Sequence, residues 1–370
     1  MTRGEYGAYH IVYPEIFLGK DENARIDRIN ENMKRYLEQG IFRSVNAFIL
    51  VERTTKYSAV PRFGLMVCVD LDAYDFKPFN DAYIKATEGT ILERLPVRIK
   101  IRENALMEIP HIILLTDDAD KTVIEPIAKR RGNLEKLYDF ELNKDGGRLK
   151  GYIADNAEEI LKNIYALADK ELLKDKYGVD GSNFLFAVGD GNHSLATAKA
   201  CWEKLKAELT EEEQKSHPAK YALVELMNLY DDALKFEPIH RVVFNAGADF
   251  CEGLKGLSNA EGRVKVFDSE KEFLINADAN SATAIRDIQT YIEEYLKSNP
   301  RSSVDYIHGE EHLREVVKNS GGLGILMPSI KKSELFPYVI NNGVLPKKAF
   351  SMGEAEEKRY YLECKLIKRI

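Results

Sequence analysis

The sequence predicts a mixed α/β or α+β fold, with mixed sheets and flanking helices, on three observations. Short apolar runs bounded by Gly, Pro and polar residues alternate with stretches whose apolar residues recur every three or four positions, so strand-like and helix-like segments interleave. At 370 residues, 44% apolar and 31% charged, the composition is that of a globular protein with two or three domains or one elaborate α/β unit. No internal repeat or low-complexity tract interrupts the alternation.

The elements follow in order. Ile26, Ile29, Met33, Tyr36 and Leu37 recur at helical spacing, and Gly40 is a natural stop. Residues 47–53 and 64–71 read as neighbouring strands joined by a polar loop over 54–61. Residues 80–104 are dense in charge, Glu93 and Arg94 among them. Within them Arg98, Lys100 and Arg102 alternate and would share one face of a strand, either as a phosphate or carboxylate contact or as the charged guard of a sheet edge. Pro110 opens an apolar strand that ends in Asp117 and Asp118, and a helix is expected after Thr122 or Glu125. A strand over 149–154 leads to Asp155 or Asn156 as an N-cap, then to a stripe of Ile160, Leu161, Ile164 and Leu167.

The apolar run 184–188 then stops at Gly189-Asp190-Gly191-Asn192-His193-Ser194, and Leu195, Ala198, Trp202 and Leu205 line one face of a following helix. Thr210 with Glu213 forms a capping box. Segments 221–229 and 233–236 suggest a β-hairpin about Asp231-Asp232, before Pro238-Ile239-His240-Arg241. Residues 245–320 suggest helices at 269–276, 282–297 and 309–319 and a strand at 303–307. The chain returns to a strand near Leu323, turns helical over 335–340 up to Gly343, and loops through Lys347 and Lys348. Arg359 to Ile367 is expected to form a closing strand. The domain expectation is a core over 1–244, an inserted or second α/β portion over 245–327, and a C-terminal segment over 328–370 that rejoins the core.

Several function classes are disfavoured. A net charge of −7 argues against nucleic acid as the main partner. No run approaches the roughly 20 apolar residues that span a bilayer, and no apolar signal core opens the chain, so a cytoplasmic protein without membrane partners is expected. Cys68, Cys201, Cys251 and Cys364 lie far apart, and no His or Cys spacing suggests a metal site, His308 and His312 included.

The 189–194 loop carries the clearest chemical signal. A strand, a Gly-rich turn and a helix N-terminus present free N–H groups and the positive dipole end to an anion. Gly189 and Gly191 allow close backbone approach, and Asn192, His193 and Ser194 can hydrogen-bond a ligand, with Ser194 also able to cap the helix. Asp190 can ligate a metal or take a proton. Glu88, in Thr87-Glu88-Gly89-Thr90, is a second candidate base or a solvated helix end. His240-Arg241 and Lys347-Lys348 are either further anion contacts or structural and solvated residues.

These motifs together resemble a family of prokaryotic proteins designated DUF1015. Asp190-Gly191-Asn192-His193-Ser194 with Thr197-Ala198 resembles its Asp-Gly-His-His-Arg signature and downstream Thr-Ala. Thr87-Glu88-Gly89-Thr90 and residues 110–115 resemble its His-Glu-Arg-Thr segment and Pro-led strand. Pro238-Ile239-His240-Arg241 and Leu345-Pro346-Lys347-Lys348 resemble its Pro-x-His-Arg and Pro-Pro-Lys-Ser segments.

The resemblance implies a portion like the ParB and sulfiredoxin superfamily, whose similar loop binds phosphate, and hence a nucleotide or phosphorylated small molecule, with Mg2+, as ligand or cofactor. It implies phosphoryl transfer or ATP hydrolysis, with Gly191, Asn192, His193 and Ser194 cradling phosphate beside Thr90. Asp190 and Glu88 would be base or metal ligand, with His193 also in the catalytic set, and His240, Arg241 and Lys347 anion contacts; Arg98, Arg102 and Lys348 are further candidate contacts by their charge. A homo-oligomer is compatible with this reading.

This chain departs from the signature where Ser194 replaces Arg, Asn192 replaces His, and Thr87 and Gly89 replace His and Arg. The lost cations favour either a different substrate or a non-catalytic small-ligand or regulatory module.

Overall fold

The computed structural model describes every residue except 1–5, 19, 91–94, 110, 180–181, 355–356, 359–360 and 370. Glu93, Arg94, Pro110 and Arg359 therefore lie outside the described residues. The fold is mixed α/β, with mixed sheets and flanking helices. The chain divides into two compact units, one of Met1–Ala233 with Ala355–Ile370 and one of Leu234–Glu354. The boundary thus falls at 233/234, where 244/245 was expected, and the return to the first unit comes at 354/355.

The first unit runs α1 (Glu22–Glu38), β1 (Ile49–Thr54), β2 (Arg62–Asp70), β3 (Tyr74–Asp75), β4 (Ile84–Lys85), α2 (Leu95–Glu103), β5 (Met107–Glu108) and β6 (Ile113–Thr116). It continues through α3 (Ile124–Arg130), β7 (Lys136–Glu141), β8 (Arg148–Ile153), α4 (Ala157–Ala166), α5 (Lys170–Tyr177), β9 (Phe186–Asp190), α6 (Asn192–Lys206), α7 (Glu211–Ser216) and β10 (Tyr221–Asn228).

Its main sheet has the order β3-β4-β9-β6-β10-β2-β1-β8-β7. Strands β4 and β9 pair parallel, as do β6 and β10, while β6 and β9 pair antiparallel. The β6–β9 register jumps from Leu114↔Val188 to Ile113↔Asp190, which leaves Gly189 as an extra residue just before the loop. Leu195, Ala198 and Trp202 of α6 join the sheet's Leu114, Val188 and Val224 in one core cluster. Full burial of one such Leu contributes roughly 1.5–3 kcal/mol. The Trp202 indole N–H also donates to Asp72 at 2.9 Å, fixing the helix against the turn after β2.

The second unit holds β11 (Phe236–Phe244), α8 (Ala248–Lys255), β12 (Gly262–Phe267), β13 (Glu272–Ala277), α9 (Ser281–Ser298), β14 (Ser303–His308), α10 (Glu310–Ser320), β15 (Leu323–Leu326), α11 (Lys332–Asn342) and β16 (Phe350–Met352). Its sheet has the order β13-β12-β15-β11-β14, and β16 pairs with β11. Val242, Phe267, Ile307, Leu313 and Val317 form a buried cluster within it. The short β17 (Lys365–Leu366) pairs with β5 in the first unit.

Four expectations are corrected. Residues 98–102 form helix α2, because that segment packs against α6 and its alternation yields to tertiary contact. Residues 221–236 make no hairpin: β10 pairs with β2 and β6, while β11 belongs to the other unit's sheet. Residues 272–277 are strand β13, hydrogen-bonded along β12, where a helix was expected, and helix α8 was not anticipated. In the expected closing strand, only Lys365–Leu366 pair among the described residues.

Candidate functional site

The strand–loop–helix junction forms as its sequence requires. Gly191 stands at the N-cap of α6 with φ 86°, in the left-handed region. A Cβ there would sit 2.4 Å from the His111 carbonyl oxygen and 2.9 Å from Ile112 Cα, so only Gly lets the loop lie against the start of β6. Gly191, at the N-cap, supplies no side-chain cap. Ser194 lies exposed within the first turn and is not the cap. The amides of Asn192, His193 and Ser194 belong to that turn, whose N–H groups have no acceptor within the helix. The Thr197 hydroxyl donates to the His193 carbonyl at 2.7 Å.

Asp190 is the hub of the charge at this junction. Its Oδ1 accepts from the Gly191 N–H at 2.7 Å, and its Oδ2 lies 3.3 Å from His111 Nε2 and 2.8 Å from Lys358 Nζ. Burial alone would raise its pKa, but His111 and Lys358 outweigh burial and hold the carboxyl well below the ordinary carboxylate range. The His111 ring packs against Tyr361 with centroids 5.3 Å apart. The Tyr361 phenol donates to the buried Glu225 at 2.5 Å, and Arg62 lies 3.6 Å from the same carboxylate. Gly64 makes room for that carboxylate, since a Cβ there would come within 2.3 Å of Glu225 Oε1.

Thr87 and Asn192, both buried, tie the second candidate segment to the loop. The Asn192 Oδ1 accepts the Thr87 N–H at 3.2 Å, and the Thr87 hydroxyl donates to the Val188 carbonyl at 2.5 Å. Two of the positions that depart from the family signature are thus hydrogen-bonded partners. Glu88 follows directly and is half-buried, in an irregular stretch after β4 where a helix end had been the alternative. Thr90 is half-buried, with an enclosed hydroxyl that has no hydrogen-bond partner among the described residues.

The other expected contacts fall on α2 and in the second unit. Arg98 and Arg102 are one helical turn apart on α2. Arg102 is ion-paired with Glu108, which also accepts the Leu223 N–H at 2.7 Å. His240, Arg241, Lys347 and Lys348 belong to the second unit. There Arg241 is 0% exposed and donates to Gln289 Oε1 at 2.9 Å, to the Lys347 carbonyl at 2.9 Å and to the Ile239 carbonyl. His240 Nδ1 accepts the Met327 N–H at 3.1 Å, and burial lowers the imidazole pKa to about 4. The side chains of Lys347 and Lys348 are exposed.

Sequence reasoning missed His111, Lys358 and Tyr361. His111 had a readable signal, since it stands two residues before the strand that pairs with β9. Lys358 and Tyr361 reach the site through the long return of the C-terminal segment and leave no local pattern.

The family model described as "Protein of unknown function (DUF1015)" matches residues 1–305. Among curated proteins none matches the sequence. A conserved hypothetical protein from Pyrococcus furiosus is similar in structure, at 11% identity and a TM-score of 0.41 over 82% of this chain and 95% of that one. A free serine kinase in complex with AMP is similar at 12% identity and a TM-score of 0.43, over 82% of this chain and 91% of that one. SbnI with C-terminal truncation, from Staphylococcus aureus, is similar at 10% identity and a TM-score of 0.42, over 81% of this chain and 87% of that one. No helix among the described residues is long and apolar enough to cross a membrane.

Proposed function

The chain belongs to the DUF1015 family, and from that premise we propose that its first unit binds a nucleotide or another phosphorylated small molecule and transfers or hydrolyses a phosphoryl group. One observation carries the reading: the N-terminus of α6 opens directly after a left-handed Gly, with the Asp190 cluster at its mouth. A helix end presents about half a positive charge to an anion. The loop amides and His193 would hold phosphate oxygens, with Ser194 at the exposed edge.

The base is better assigned to Glu88 than to Asp190. A carboxylate held strongly ionised is a poor proton acceptor, since proton affinity falls with pKa. Asp190 then serves to organise His111 and Lys358. No group of three or more metal-ligating side chains occurs among the described residues. A Mg2+ ion would therefore arrive on the nucleotide's phosphates, with Glu88 or Asp190 as an added oxygen ligand.

The test is 31P NMR of ATP incubated with the protein and Mg2+, across candidate hydroxyl acceptors. Turnover by the wild type that falls at least about a hundredfold in Glu88→Gln supports the assignment. Turnover unchanged in that variant removes Glu88 from the chemistry. A second reading, binding without turnover, draws on the neutral Thr87–Asn192 pair and the exposed Ser194, which leave the loop without cations of its own. It expects nucleotide binding and no product.

A further inference from the structure

The loop that should meet an anion carries one charged side chain of fixed sign, and it is negative. Ser194 supplies no cation, Arg102 is engaged with Glu108, and Arg241 is buried in the second unit. An ammonium at Asp190 comes from Lys358 in the C-terminal segment, beyond residue 305 where the family match ends. Resting on the phosphate-site reading above, we propose that Lys358 is the phosphate-binding cation of the first unit, held on Asp190 in the unliganded chain and taken over by the ligand's anion.

The geometry around Asp190 supports this. Its two oxygens receive a backbone N–H at 2.7 Å, an ammonium at 2.8 Å and an imidazole nitrogen at 3.3 Å. Those are the donor types that bind a phosphate at a helix N-terminus. The carboxylate thus stands in for the anion, and a ligand phosphate beside it competes for the same ammonium.

The segment is built to present that ammonium. Glu357 precedes it, with its carboxylate accepting the Thr55 hydroxyl at 2.8 Å and its carbonyl accepting from the buried Arg53. Tyr361 follows it, buried and donating to Glu225 at 2.5 Å. Glu357 and Tyr361 are therefore each held by bonds of their own. The Lys358 side chain is 52% exposed, so its four-carbon stem can move the charge from Asp190 to a ligand without unfolding the segment. A lysine suits this role because its ammonium is a point charge with freely rotating donors.

The experiment measures ADP, tripolyphosphate and adenosine binding by calorimetry to the full chain and to Lys358→Met and Lys358→Arg. The expected result is about a tenfold loss of ADP and tripolyphosphate affinity in Lys358→Met, the usual weight of a charge-assisted contact. Lys358→Arg should recover most of that loss, and adenosine affinity should be equal in all three proteins. ADP affinity unchanged in Lys358→Met overturns the inference and leaves the phosphate-site reading standing. An equal loss for adenosine also overturns it, because the segment would then act through structure alone. Failure of the wild type to bind ADP or tripolyphosphate overturns both the inference and the reading beneath it.

Discussion

Replacing Gly191 with alanine puts a methyl group where the backbone leading into β6 already lies. The new Cβ would meet the His111 carbonyl oxygen at 2.4 Å and Ile112 Cα at 2.9 Å, and neither can yield by a rotamer change. The φ of 86° adds a left-handed penalty of roughly 1–2 kcal/mol for a residue with a Cβ. Overpacking against fixed atoms costs about 1–3 kcal/mol more. The expected destabilisation is therefore roughly 2–5 kcal/mol.

Trp202 makes the measurement local. It is the chain's single tryptophan, fully buried on α6 itself, so its fluorescence during urea unfolding follows the first unit. Gly89→Ala is the matched control, because nothing lies within 4 Å of a Cβ there and its φ is not left-handed. It should change stability by no more than about 0.5 kcal/mol or add a little. A Gly191→Ala midpoint equal to that of Gly89→Ala would refute the claim that this turn needs glycine.

Three further outcomes are expected. Asn192→Ala removes the acceptor of the buried Thr87 N–H and should cost about 1–3 kcal/mol by the same urea assay; a neutral result would mean that the pair is not holding the Glu88 segment. The folded pKa of Asp190 lies below its unfolded value of about 3.9, so its contribution is present above that pH and lost as pH falls further; acid titration of stability should therefore be shallower in Asp190→Asn, and identical acid limbs would contradict the ion-paired carboxylate. His240, lowered to about 4 from about 6.5, favours the folded state when neutral, so its contribution is complete above about pH 6.5 and falls toward pH 4, by up to about 3 kcal/mol. Calorimetric melting should then lose less on acidification in His240→Gln than in the wild type, and equal losses would contradict the assignment.

The sequence reveals most where local chemistry decides the structure. The strand ending at Asp190 and the helix after Gly191 were legible because an apolar run cannot pass Gly-Asp-Gly-Asn without a turn, and Leu195, Ala198 and Trp202 then repeat at helical spacing. The Thr210–Glu213 capping box was legible for the same reason, as its two hydrogen bonds close within one turn.

Tertiary context decided the rest. Val97, Ile99 and Ile101 alternate with cations as in a strand, yet the segment is helical because it packs on α6. The short apolar run Phe273-Leu274-Ile275 can suit either element, and pairing with β12 makes β13 a strand. At the candidate site, Asp190 and Asn192 were readable, and their pairings with Lys358 and Thr87 were not. Thr87 reaches Asn192 because β4 pairs with β9, and Lys358 reaches Asp190 only after the chain has traversed the whole second unit. From its residue types the His240-Arg241 pair was open between an anion contact and a structural role, and the family resemblance favoured the anion contact. In the structure the pair is buried in the second unit, with His240 bonded to Met327 and Arg241 to Gln289 and the Lys347 carbonyl.

The most direct test of the central claim is calorimetric titration of the wild type with ADP, with and without Mg2+, alongside His193→Ala. The account predicts saturable binding of one ADP per chain, stabilisation of the Trp202-reported unit by mass action, and weaker binding in His193→Ala with its fold intact. Absence of binding heat and of any thermal shift with ADP, ATP and tripolyphosphate would contradict it.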